Sequence, residues 1–281
     1  MNKSIKKILT HFVGKISGKY YFEDYVRVYP KGLAFNKFGK KRNMSENDLK
    51  NFLNHCKFYQ FAAQFVNKQK VADVGCGSGY GSKILKEHGA VSYNGYDISK
   101  SAIKYAKSNF NYYGKFSIAS ITDMSIVADN FFDVTICSEV LEHIKEYEME
   151  SQAISELKRI TKNNGLIIIA TPNNELLVNH GFSFDELNNL FKSYFSQYCI
   201  FENAFIPAGE KRILWDQRLR DKTTGIIVTE SVNIDETVIF DGNIPEIKQG
   251  LEPGLFKFAD YEIDTKLLHN THSWIVIATK N

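Results

Sequence analysis

The segment Asp73-Val-Gly75-Cys-Gly77-Ser-Gly79-Tyr-Gly81 constrains this chain more than any other. Lys70–Val74 before it reads as a short strand, and Ser82–His88 after it as a helix ended by Gly89, so the glycines occupy a strand-to-helix turn. Glycines at such a turn let the backbone approach a ligand without a Cβ in the way. In an open α/β sheet, ligands bind beyond the carboxyl ends of the strands. A dinucleotide fingerprint needs its third glycine at position 80, where Tyr80 stands, so the spacing is D-x-G-x-G-x-G instead. Asp97, at the end of the next strand, is placed to accept both hydroxyls of a ribose.

Beyond the turn, strands and helices alternate at intervals of 20–30 residues. Strands are read at Val91–Tyr96, Phe116–Ala119, Phe132–Ser138 and Leu166–Ala170, and helices at Ser99–Phe110, Tyr147–Thr161 and Ser183–Phe195, the last opened by the capping box Ser183-x-x-Glu186. An earlier helix starts after Ser45. This order implies βαβ units and a parallel sheet covered on both faces. Two further strands, Tyr198–Ala204 and Ser273–Thr279, are separated by an interval too long for a hairpin loop, with β-like runs of its own at Gly225–Val232 and Glu236–Phe240. The expected division is a basic appendage over 1–44, a core over 45–204, an inserted cap or small β subdomain over 205–272, and a last core strand over 273–281.

Together these motifs resemble the class I S-adenosylmethionine-dependent methyltransferases over about residues 55–204 plus the last strand. Val71–Gly79 is similar to their first motif, Tyr96-Asp97-Ile98 to the strand end that holds the ribose, and 118–125 to the loop that cups adenine. Phe132-Asp133-Val134 through His143 is similar to their fourth strand and following helix, and Gly165–Asn173 to their fifth strand. The resemblance implies a Rossmann-like, seven-stranded, mostly parallel sheet with helices on both faces, an N-terminal helical segment and a C-terminal β-rich insertion. It also implies S-adenosylmethionine as cofactor: Gly75, Gly77 and Gly79 on its methionine portion, Asp97 with Ile98 on the ribose, Ser120 with Ile121 on the adenine. Asp73, Cys76 and Ser138 complete that lining, and Tyr59 is expected near the methionine carboxylate. Many relatives carry Asp where Ser120 stands, and an Arg upstream where this chain has Phe58.

Glu139, Glu142 and His143 fall at i, i+3 and i+4 beyond the fourth strand, so a helix beginning there presents all three on one face. Ser-Glu-Val-Leu-Glu-His-Ile is similar to the ubiquinone-biosynthesis O-methyltransferases and to small-RNA 2′-O-methyltransferases, and the similarity extends to a later histidine, here His180. Three roles are open for this cluster. Two carboxylates and two imidazoles (Glu139, Glu142, His143, His180) form an oxygen/nitrogen shell suited to Mg²⁺ or Mn²⁺. Without a metal, His143 serves as general base, with Glu139 and His180 as the other catalytic candidates. Alternatively, the acids only cap and orient the helix.

Charge bears on the acceptor. Residues 1–42 carry eleven Lys/Arg against two acids, a surplus of nine within a net +3 for the whole chain. Residues 4–17 form one apolar stripe (Ile5, Ile8, Leu9, Phe12, Val13, Ile16) among lysines, which reads as a basic amphipathic helix. It either packs on the protein or a second subunit, or contacts an anionic membrane surface. Four scattered cysteines without a C-x-x-C pair, no long apolar run and no signal-peptide pattern lead to the expectation of a cytoplasmic protein, at most peripheral to the inner face of the membrane. The expected acceptor is a small molecule, such as a sugar or a phosphorylated precursor of a surface polysaccharide. Arg212, Trp215, Arg218 and Arg220 form a group suited to an anionic one. A membrane lipid or quinone, RNA, and a non-catalytic binding role are the alternatives. The C-terminal insert shows no identifiable RNA-binding module.

Overall fold

The structure is a computed structural model that describes residues 28–29, 33–35, 41–43, 46–174, 180–207, 212–220, 235–238 and 271–281. Three short strands come first, β1 (Val28–Tyr29), β2 (Leu33–Phe35) and β3 (Lys41–Asn43), paired antiparallel in that order. They are followed by α1 (Glu46–Ala63), β4 (Lys70–Val74), α2 (Gly81–Glu87), β5 (Ser92–Asp97), α3 (Lys100–Phe110) and β6 (Lys115–Ile118). Next are β7 (Phe132–Ser138), α4 (Leu141–Lys145), α5 (Glu150–Ile160), β8 (Thr161–Pro172) and α6 (Phe184–Tyr194). The last strands are β9 (Gln197–Pro207), β10 (Arg212–Arg220), β11 (Asp235–Val238) and β12 (Thr271–Thr279).

Among the described residues, β4 to β12 form one sheet in the order β11-β10-β9-β12-β8-β7-β4-β5-β6. Strands β4 to β8 pair in parallel, and β12 pairs antiparallel with both β8 and β9, so β9 runs the same way as β8. The expected seven-stranded, mostly parallel core is therefore present. Two antiparallel strands, β10 and β11, extend its edge.

Each face of the sheet carries its own core. On one side Phe61, Ala62, Ile84 and Phe110 meet Val71, Ile136, Ile168 and Ile275. On the other, Ala153, Ile154, Leu157 and Ile160 of α5, a stripe at helical spacing, join Leu187 and Phe191 of α6 against Ala72, Ile167, Ile169 and Trp274. Caps fix where the helices begin. Ser99 accepts from Ala102 N to open α3, and Ser183 with Glu186 forms the expected capping box at α6. Arg159 clamps the loop between β6 and β7, donating to the carbonyls of Met124 and Val127 and pairing with Glu156 and Asp129.

Several sequence expectations need adjusting. The helix read at Tyr147–Thr161 is α5, Glu150–Ile160, preceded by the separate short helix α4, and the strand read at Leu166–Ala170 runs the full length of Thr161–Pro172. Arg212, Trp215, Arg218 and Arg220 lie on β10, which continues the main sheet, because β9 offers it an eight-residue antiparallel register from Ile200 to Pro207. Glu236–Phe240 is represented by β11, while Gly225–Val232 and the amphipathic stretch 4–17 lie outside the described residues.

Candidate active site

Nearly every implicated residue sits at the carboxyl end of the sheet. The chain leaves β4 through Gly75, Gly77 and Gly79, all with positive φ (87°, 52° and 87°), and a Cβ on Gly75 would overlap the Val140 side chain. Glycine is needed here for backbone conformation and for space. The turn is then tied to the next strand. Gly75 N and Cys76 N donate to Tyr96 O, and Gly77 N donates to Asp97 Oδ2 at 2.8 Å. Asp97 Oδ1 accepts from Ser99 N at 2.8 Å, so one carboxylate fixes both the glycine turn and the start of α3. Its two oxygens offer about four acceptor sites, which leaves capacity for a diol.

The surroundings fit an adenosyl cofactor with a zwitterionic end. Ile98 and Ile118, at the ends of adjacent strands, are large apolar side chains left 37% and 50% exposed, an arrangement suited to a purine face. Ile121 is buried beside them, and the Ser120 hydroxyl is 2.8 Å from that of Thr122. On the neighbouring strands β4 and β7, two buried oxygens, Asp73 Oδ1 and Ser138 Oγ, have no hydrogen-bond partner within the protein. Such groups are costly unless a ligand or water meets them. Cys76 is buried in the turn. The Tyr59 hydroxyl, expected near a carboxylate of the cofactor, donates to Asp73 Oδ2 at 2.9 Å. Tyr93 donates to the same oxygen at 2.5 Å, a contact with no signal in the sequence, where Tyr93 reads only as a strand aromatic. Burial pushes the Asp73 carboxyl up to about 7, against the opposing pull of these two hydroxyls.

Beyond β7 the second group assembles. Glu142, His143 and His180 bring one ligand atom each within 4.8 Å of one another. His143 Nε2 lies 3.6 Å from Glu142 Oε1, the two imidazole rings are 5.2 Å apart, and Thr171 Oγ1 donates to Glu142 Oε2 at 3.1 Å. Glu139 stands outside this trio. It takes a left-handed conformation (φ 55°) between β7 and α4, with its N–H on Ala170 O, so it is not on the helix face that the i, i+3, i+4 spacing implied. Burial raises the Glu139 carboxyl to about 7, and burial together with the charge of Glu139 raises Glu142 well above the usual range. Carboxylates so placed favour a cation or a shared proton.

The two residues that follow His180 are anchored. The carbonyl of Gly181 accepts from Lys145 Nζ at 3.1 Å, and that of Phe182 accepts from Trp274 Nε1 at 2.9 Å.

Residues 72–169 match the family profile described as a methyltransferase domain. The chain is 31% identical over 108 residues to the ubiquinone biosynthesis O-methyltransferase of Thiobacillus denitrificans, covering 37% of this chain and 45% of that one. It is 29% identical over 143 residues to the malonyl-[acyl-carrier protein] O-methyltransferase of Buchnera aphidicola, covering 51% and 52%. It thus spans about half the length of these curated relatives. A crystal structure of an S-adenosylmethionine-dependent methyltransferase from Thermotoga maritima aligns with TM-score 0.48 at 14% identity, over 84% of this chain and 95% of that one. The matched segment, which holds the glycine turn and the strand-end acid, identifies residues 72–169 as a methyltransferase domain.

Proposed function

We propose that the protein transfers the methyl group of S-adenosylmethionine to a hydroxyl oxygen of a small polar acceptor, such as a sugar or a phosphorylated saccharide precursor. The observation that carries this reading is the Glu142–His143–His180 trio, with Glu142 and His143 on the helix that follows β7, the strand paired with β4. Support for a polar acceptor comes from the neighbouring strand ends. Thr171, Asn173, Asn203 and Ser273 are buried polar residues there, next to the apolar runs Ile167–Ala170 of β8 and Trp274–Val276 of β12. Asn203 Nδ2 donates to Ser273 Oγ at 2.7 Å.

In this reading the glycine turn and Asp97 hold the cofactor, and the trio orients the acceptor hydroxyl and takes its proton at His143. Alignment of the oxygen with the sulfonium methyl, and exclusion of water, supply much of the rate. Glu142, His143 and His180 would also hold Mg²⁺ or Mn²⁺, with Glu139 close by, and such an ion would lower the pKa of a bound hydroxyl. Chelation separates the two roles: turnover abolished by EDTA and restored by Mn²⁺ requires the ion, whereas turnover indifferent to EDTA leaves His143 as the base.

Calorimetry with S-adenosylmethionine tests the cofactor assignment. Asp97→Ala is expected to weaken binding by about 100-fold, since two hydrogen bonds to a charged group are lost. Unchanged affinity would remove Asp97 from the site.

A second acceptor class, a membrane-resident lipid or quinone, is favoured by the ubiquinone-biosynthesis relatives and by the basic amphipathic pattern of residues 4–17. No helix among the described residues is long and apolar enough to cross a membrane, so contact would be peripheral. This reading requires pelleting with anionic vesicles that is lost when Lys6 and Lys7 are replaced.

A further inference from the structure

We infer that Lys145 and Glu186 are a positioning pair that sets His180 against Glu142 and His143. The inference rests on the reading of that trio given above and names the residues that fix its geometry.

Two members of the trio, Glu142 and His143, sit on α4, but His180 comes from the connection between β8 and α6 and needs a separate tie. Lys145, the last residue of α4, supplies it. An ammonium group has three N–H donors to place. Lys145 Nζ is 2.8 Å from Glu186 Oε1, donates to Gly181 O at 3.1 Å, and stands 4.6 Å from the centre of the Phe182 ring, so its partners all follow His180 closely in the chain. Glu186 is held in turn. Its other oxygen accepts from Ser183 N at 2.9 Å and from Asn174 Nδ2 at 3.0 Å, so one carboxylate reaches both ends of the connection that carries His180. The backbone closes the same base, with Phe182 N donating to Pro172 O at 3.0 Å and Asn174 N to Phe182 O at 3.1 Å. Gly181 permits that approach: its φ is 108°, and a Cβ there would overlap Pro172 O.

Stability does not account for the pair. The Lys145 and Glu186 side chains are 29% and 45% exposed, and an ion pair so exposed adds little to folding. Capping does not account for it either, since Ser183 and Glu186 complete the capping box of α6 without the lysine. What Lys145 adds is a link from α4 to the residue beside His180. At a reacting centre a displacement of about 1 Å costs about 100-fold in rate, so such a link matters to chemistry more than to the fold.

The test follows the two imidazoles by NMR in the full chain carrying isotope-labelled histidine. Their rings, 5.2 Å apart, should give a cross-relaxation peak in the wild type, assigned by its loss in His180→Gln. Lys145→Met should abolish the peak and Glu186→Gln weaken it, while the denaturation midpoint and the calorimetric affinity for S-adenosylmethionine stay at wild-type values. Lys145→Arg, which keeps the cation and its donors, should retain the peak. No peak in the wild type, a peak unchanged in either Lys145→Met or Glu186→Gln, or a Lys145→Met protein that also loses stability or cofactor affinity overturns the inference, the last result reducing Lys145 to support of the fold. A wild type that shows the peak, loses it in Lys145→Met, and yet binds no S-adenosylmethionine upholds the positioning pair and overturns the proposed function instead.

Discussion

His143→Ala should lower single-turnover methyl transfer by about 10²–10⁴-fold, the range for removing a positioned general base, while leaving the affinity for S-adenosylmethionine unchanged. The separation is expected because His143 touches Glu142 and packs beside His180, on the segment after β7, whereas the glycine turn follows β4. The imidazole is also partly exposed, so it can reach an acceptor. Rapid-quench measurement at saturating cofactor reads the chemical step directly. A variant that keeps wild-type turnover would reduce the trio to a structural role, and one that loses cofactor binding as well would place His143 in the cofactor site.

Trp274→Ala should destabilise the protein by about 3–5 kcal/mol, the cost of truncating a large core aromatic, measured by chemical denaturation. Trp274 is fully buried in β12, its ring meets Phe184 edge-on at 5.8 Å, and its Nε1 holds the Phe182 carbonyl. Trp274→Phe separates packing from anchoring. It keeps most of the ring and leaves the Phe182 carbonyl buried without its donor, a cost of about 1–3 kcal/mol. Because that carbonyl lies two residues from His180, the Phe variant should lose more turnover than its stability change explains, with cofactor affinity intact. Equal turnover per folded molecule would show that His180 is held by other contacts.

The parts of the site legible in the sequence are those written in local patterns. The glycine turn announces itself because only glycine tolerates three positive φ values in five residues, and Asp97 because an acid at a strand end has few structural reasons to be there. The capping box at α6 is equally local. Glu139 was misplaced for a physical reason: helical spacing in a sequence does not say where the helix starts, and the left-handed residue between β7 and α4 rotates Glu139 off its face. Tyr93 carried no signal, since a buried aromatic in a strand is ordinary until Asp73 is found opposite its hydroxyl. The place of β10 in the main sheet, where the sequence suggests an inserted cap or small β subdomain, depends on long-range pairing that composition between residues 205 and 272 does not reveal.

The position of β12 sets a timetable. This strand lies between β8 and β9, yet it follows β9 by more than sixty residues in the chain. During synthesis the ribosome therefore releases β8 and β9 well before the strand that must separate them. Until then the apolar flank of β8, Ile167 to Ala170, faces the crowded interior of the cell with its backbone groups on that side unpaired. Those seconds of waiting, more than the final stability of the sheet, should govern how much active protein a cell recovers. Slower translation or a cooler culture would change that yield without altering a single contact in the finished molecule.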